Sequence, residues 1–376
     1  MTVQYRVSRR YAGAPGVAPP PPPPSDGQIW TERIATDAVL VHAGHTISGN
    51  KKIAPGVRDA GGSYVMQGQF ENCFILQEQP EMPLREVWQS GHRHNWSDMN
   101  NPPKEVFLGS YRLPNYEFNT TTANDLLDLY DASGNYILGH GTSHRPSSTG
   151  PLYGNFRRPV PGQSWFDECG TLEEPGQAGS AGATNISTVG TAMGHVQFWQ
   201  AVNGNLAHFG HALNFLSWGQ EFLYYDSATD GKRWPAYKRD ANANNTSSGA
   251  GQYLGTIEAY RAGALLTLPY RLTSSQIPEI ATDGLIAAMC ETLFLYGAYW
   301  SDNTAWAAYV WCVQVPIGPN TQNDATAIRQ QMQISAQGSN RKRFEVLREV
   351  ATYMHVVDNN GPDTIAGGGP AAARRF

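Results

Sequence analysis

Turn-forming and aromatic residues crowd out charge in this chain, and that balance limits what it can fold into. Only 16% of the residues are charged, while Gly, Asn, Thr, Ser, Tyr and Trp abound. Short strands joined by many loops suit such a composition, and a helical bundle does not. At 376 residues the chain can bury a substantial core, in one large domain or two. A net charge of −5 and a pI near 6.1 leave no basic footprint, which speaks against nucleic-acid binding. The basic runs Arg341-Lys342-Arg343 and Arg374-Arg375 read as a solvated helix face and a tail.

Pro19 to Pro24 is an unbroken proline run, which is held in an extended polyproline helix and joins neither sheet nor α-helix. Residues 1–30 are therefore expected to form an arm, either a stiff spacer or a peptide that docks the globular part onto a larger protein assembly. Beyond it, residues 31–105 read as a β-rich segment, 106–365 as the main β-sandwich domain with helices, and 366–376 as a flexible tail. Ala38 to Val41 and Ser63 to Met66 alternate as short strands. Leu126 to Tyr130 and Tyr136 to Leu138 form a hairpin around Asp131-Ala132-Ser133-Gly134. Ile286, Met289, Cys290, Leu293 and Tyr296 recur at helical spacing behind a Thr282 or Asp283 cap, and Gly297 stops the helix. Trp306 to Val315 reads as a buried strand, with further helices over Ala325–Ala336 and Arg341–Met354. The sum is a mainly β protein, a jelly roll or β-sandwich with a few decorating helices. No βαβ alternation or Gly-rich phosphate loop supports a nucleotide fold.

The N-terminus has no apolar core of a secretory signal, and no stretch is apolar enough to cross a bilayer. Membrane insertion is not expected; the protein is cytoplasmic or leaves the cell another way, for example within a virus particle. Cys73, Cys169, Cys290 and Cys312 form no CxxC pair, so a zinc ribbon is excluded. Cys290 and Cys312 lie in apolar stretches and read as buried free thiols. Ten histidines give only short-spaced pairs such as His92/His94 and His208/His211, too few convergent ligands for a metal site. The sequence leaves the cofactor, if any, unknown.

Between Gly204 and Asn303 runs a string of motifs: His211-Ala212-Leu213, Trp234-Pro235-Ala236, Gly263 to Pro269, and Tyr296-Gly297-Ala298-Tyr299 with Asp302-Asn303. Val356-Val357-Asp358-Asn359-Asn360 and Gly367 to Gly369 follow. In order and content the string resembles a loosely characterised set of bacterial and fungal secreted, jelly-roll-like proteins with phage-encoded relatives. The resemblance spans roughly residues 105–370. It implies fold more than reaction. Where those relatives carry Asp-x-His at the hairpin, this chain keeps Asp125 and has no histidine.

A polysaccharide lyase needs a His or Tyr base beside a cation that neutralises a substrate carboxylate; His211 with Tyr299, aided by Arg261, fits that scheme. Glycoside hydrolysis needs two facing carboxylates, with Asp125, Asp167, Glu168, Glu221, Asp226 and Asp302 as candidates. No serine-nucleophile elbow is present. Trp88, Trp165, Trp234 and Trp300 lie near polar loops and suit stacking on sugar faces. The expected function is contact with host-surface polysaccharide, as a virion component of tail-tip or fibre type or another extracellular protein. A polysaccharide-degrading enzyme and a purely structural assembly subunit are the alternatives.

Overall fold

The computed structural model describes residues 28–45, 70–78, 80–90, 102–115, 118–119, 126–131, 136–141, 143–154, 156, 183–186, 188–244, 252–304, 309–316, 321–369 and 372–376. The proline run, Ser63 to Met66, Asp125, the hairpin tip, Trp165, Asp167 and Glu168 lie outside the described residues.

The strands are β1 Leu40–His42, β2 Phe70–Gln77, β3 Leu84–Gln89, β4 Val106–Arg112, β5 Phe118–Asn119, β6 Leu126–Tyr130 and β7 Tyr136–Gly141. They continue as β8 Ser143–Arg145, β9 Leu152–Gly154, β10 Leu213–Ser217, β11 Leu265–Thr267, β12 Ala298–Asn303, β13 Val310–Pro316 and β14 His355–Val357. The helices are α1 Thr188–Thr191, α2 His195–Val202, α3 Gly219–Phe222, α4 Gly284–Leu295, α5 Thr321–Gln331 and α6 Arg343–Ala351. The body is mainly β, with few and short helices. The larger sheet runs β1-β14-β11-β12-β10-β13-β2-β6-β7 and the smaller β4-β3-β9-β8-β5. Both are mixed: β10 lies parallel to β12, β2 to β13 and β6, and β3 to β9.

Alternation along the central strands divides the apolar side chains between two cores, because successive residues of a strand face opposite ways. Ala298, Trp300, Phe215, Leu266 and Val356 join the main core, with Phe198 of α2, Leu285 to Leu293 of α4 and Val350 of α6. Tyr299, Leu265 and Val357 face a second core built from Ile29, Trp30, Ile34 and Ile186. Val87 and Leu152 of the smaller sheet enter the main core beside Leu127 and Leu129 of β6.

Three sequence expectations change. Ile29 and Trp30 are buried, so the body begins by Gln28 rather than after residue 30. β1 and β2 join the same sheet as β10 to β14, so residue 105 divides no sheet. The chain end is also pinned: Arg375 N donates to Ile34 O (3.0 Å) and its guanidinium to Leu268 O (2.6 Å). The Arg374-Arg375 run is thus an anchor, not a loose tail.

The best-marked helix forms as its sequence requires. Asp283 Oδ1 accepts from Leu285 N and Ile286 N, both 3.1 Å, and Gly297 ends the segment at φ +76°. Asp283 Oδ2 takes Gln337 N (2.9 Å) and the Arg343 Nε of α6 (2.8 Å), both side chains being buried. Removing one member of a buried pair strands the other's charge, so Asp283→Ala should cost about 3–5 kcal/mol in urea unfolding. Adding Arg343→Met should restore most of that loss; a single-variant loss below about 1 kcal/mol would contradict the assignment.

Candidate functional site

β12 is the strand that positions chemistry. Opposite Leu216 of β10 the register slips, so that Phe215 faces Trp300 and Leu216 faces Asp302, leaving Ser301 as an extra residue. Such a bulge re-aims the side chains beyond it. Ser301 Oγ donates to the buried Asn214 Oδ1, and the Asn214 amide donates to Thr191 Oγ1 of α1 (2.9 Å).

Beyond the bulge, Asp302 keeps some surface at solvent while its carboxyl is packed round by protein. Oδ1 accepts from Asn303 N (2.7 Å) and Ala183 N (2.9 Å). Burial and the nearby Asp240 carboxylate nevertheless push its pKa up to about 7. Asp240 is raised as well, chiefly by burial. Tyr253 donates its hydroxyl to Asp240 Oδ2 (3.0 Å) and accepts from Asp240 N (3.2 Å). Asn303 braces the group by taking Gly219 N (3.0 Å) and turning its side chain to Asp240. Two mutually repelling carboxyls, one retaining a proton near neutrality, are the components of an acid/base pair.

Among the described residues no hydrogen bond joins His211, Tyr299 and Arg261. His211 is buried, with Nδ1 against Ala212 O (2.9 Å), and burial lowers its pKa to about 4. Arg261 is committed to Asp226 through Nε (3.0 Å) and Nη2 (2.8 Å) and lies over the Tyr224 ring. Asp226 is thereby held at about 2, its hydrogen bonds from Thr229 being the larger cause. Tyr299 is buried edge-on to Trp30, with ring centroids 5.1 Å apart, and burial lifts its phenol pKa far above the usual value. Trp300 is corrected outright: it is fully buried, its indole N–H donates to Ser217 Oγ (3.0 Å), and it cannot stack on a ligand.

The motif string folds around Tyr299. Arg233 N donates to Ala262 O (2.9 Å), and Gly263 sits at φ +87° under Arg233 and Ala236, where a side chain would collide. Arg233 Nη2 reaches Asp358 O (2.5 Å) beyond β14. Trp234 packs half-buried on the second core.

Trp88 lies elsewhere, on β3 opposite Phe107 of β4, with ring centroids 5.1 Å apart. Its indole N–H donates to Glu86 Oε2 (2.9 Å), and the Lys104 ammonium sits 5.0 Å over its ring. Phe107 is 47% exposed, with Val106 exposed beside it. Among the described residues no three His, Cys, Asp or Glu side chains converge as a metal site. Cys290 and Cys312 are free and buried, as expected, and burial pushes the Cys290 thiol up to about 12.

Of the residues in these groupings, the sequence singles out Asp302, Tyr299, Trp88 and Trp234 as candidates and does not single out Asp240, Tyr253, Arg233, Asn360 or Phe107. Arg233 adjoins the Trp-Pro-Ala motif and Asn360 lies within the Val-Val-Asp-Asn-Asn segment, so both were within reach. Asp240 carried no local signal. No family model matches the chain, and no curated protein or solved structure matches it.

A carboxyl whose folded pKa exceeds its unfolded value loses stability as pH rises from the ordinary carboxylate range through that folded pKa. Asp302 therefore adds an unfavourable contribution between about pH 4 and 7 that is complete above neutrality. Asp302→Asn should gain more stability in urea unfolding at pH 8 than at pH 4, a difference on the order of a few kcal/mol. A gain that does not change with pH would contradict the raised pKa.

Proposed function

We propose that this protein binds polysaccharide through the open aromatic face of its smaller sheet, acting outside the cell or on a virion. The Trp88–Phe107 pair carries the reading: adjoining aromatic rings flanked by an acid, Glu86, and a cation, Lys104. A sugar ring can lay its C–H face on such a platform while its hydroxyls meet the flanking charges. The resemblance to secreted and phage-encoded proteins supports the setting, and the proline-rich sequence of Pro19 to Pro24 suits attachment to a larger assembly. For the architecture, the core shared by both sheets supports a sandwich, and the parallel strand pairs favour it over an antiparallel jelly roll.

A second reading, a glycoside hydrolase, is favoured by the Asp240–Asp302 pair. Retention of wild-type protein on gels containing neutral and acidic polysaccharides tests the first. Trp88→Ala, with its Tm unchanged, should weaken retention about ten-fold or more. Retention equal to wild type would remove the aromatic face from the account. New reducing ends that disappear in Asp302→Asn would establish the second reading, and intact chains after prolonged incubation would end it.

A further inference from the structure

An irregularity in the smaller sheet sets the Trp88–Phe107 pair. Between Val87 and Trp88 the register slips, so that Val87 faces Gly109 and Trp88 faces Phe107, leaving Leu108 as an extra residue of β4. Gly109 takes φ +138° at the slip, a backbone conformation that side-chain-bearing residues rarely adopt. Leu108 packs on the main core, while Phe107 is turned to solvent. Such a bulge re-aims the side chains beside it, and here it brings an exposed phenyl ring against the indole.

Over that pair the chain places a cation of its own. The Lys104 ammonium stands 5.0 Å from the centre of the Trp88 ring and 3.8 Å from Glu86 Oε2. The same oxygen accepts the indole N–H at 2.9 Å, which fixes the carboxylate at the edge of the ring. The ammonium is held less firmly. At 3.8 Å it is beyond hydrogen-bond length, and the two side chains are 47% and 49% exposed, so the ion pair is weak and screened by salt. When Lys104 swings away, an aromatic face with an acid beside it remains. A cation gains from both the ring and the carboxylate, whereas a neutral sugar gains from the ring alone. The surroundings favour a cation as well. Glu105, exposed, adjoins Lys104, and Arg85, the nearest cation along β3, is engaged with Asn115 Oδ1 (2.9 Å). A uronate laid on the rings would meet Glu86 and Glu105.

We infer that Trp88, Phe107 and Glu86 bind a glycan bearing free amino groups, and that Lys104 fills the ammonium position until the ligand displaces it. The sugar lays its C–H face on the rings, and its ammonium takes the place of Lys104 beside Glu86. Lys104 is thus a built-in competitor that lowers affinity for the amine form. This deepens the polysaccharide reading and rests on it, by naming the class of sugar that the Trp88 face prefers.

Calorimetric titration of the full-length protein with a glucosamine oligosaccharide, its fully N-acetylated counterpart and trilysine tests it, at mildly acidic pH where the sugar amines are protonated. Wild type should bind the amine form about five-fold or more tighter than the acetylated form, and added salt should narrow that preference. Glu86→Gln keeps an oxygen for the indole N–H and removes the charge, so it should bring the two sugars close to parity. Lys104→Met removes the competing ammonium and should tighten the amine form about two- to five-fold. Circular dichroism and Tm check that each variant is folded. Equal binding of the two sugars by wild type, or a preference that persists in Glu86→Gln, would overturn the amino-sugar assignment. Amine-form affinity that is unchanged or weaker in Lys104→Met would overturn displacement of Lys104, and trilysine binding as tight as the amine oligomer would overturn assignment to a sugar. Binding of the acetylated oligomer that is lost in Trp88→Ala keeps the polysaccharide reading intact, whichever way the amine preference is decided. Binding of no sugar at all overturns both.

Discussion

One buried amide holds the centre of this protein in register. Asn214, on β10, accepts at Oδ1 from Ser301 of β12 and from Cys312 Sγ of β13 (3.3 Å), and donates to Thr191 of α1. Three adjacent strands and a helix thus share one side chain that is 1% exposed. A polar group so enclosed is costly unless every bond is made, which makes the arrangement specific. It fixes the extra residue, Ser301, at the point where β12 slips past β10. Tyr299 before that residue and Asp302 after it are delivered to different surroundings by the same short strand.

The two faces of the sheet then diverge in character. On the main-core side Trp300 is sealed by Ser217, which in turn meets Tyr260 (3.0 Å) and through it His45 (3.0 Å). This chain of side chains is buried and closed on itself, and burial keeps the His45 ring neutral with a pKa of about 3. It stabilises packing and offers nothing to a ligand. At the strand's end Tyr253 packs edge-on to Trp300, with centroids 6.0 Å apart, and carries Asp240 within electrostatic reach of Asp302. On the opposite side Tyr299 packs edge-on to Trp30 within the second core, with ring centroids 5.1 Å apart.

Local signals in the sequence were read well and long-range ones poorly, for a physical reason. Apolar spacing and the Asp283 cap marked α4 because a helix is specified by residues near one another in the chain. The Leu126–Tyr130 hairpin followed from alternation and turn chemistry in the same way. What pairs Asp240 with Asp302, or frees Arg233 to face Tyr299, is strand order, and nothing in a single stretch encodes that. Exposure was equally hidden: Trp88 and Trp300 both sit near polar residues in sequence, yet one lies on an open sheet face and the other in the core. Trp30 and Arg375 were misjudged because each is buried by partners far away in the chain.

The dependence of β12 on Asn214 is tested most directly by a double-mutant cycle of Asn214→Ala and Ser301→Ala in urea unfolding. If the amide holds the bulge through Ser301, the two losses should fall short of adding by about 1 kcal/mol or more. Losses that add to within about 0.3–0.5 kcal/mol would show that the residues act independently and that β12 is positioned by packing alone.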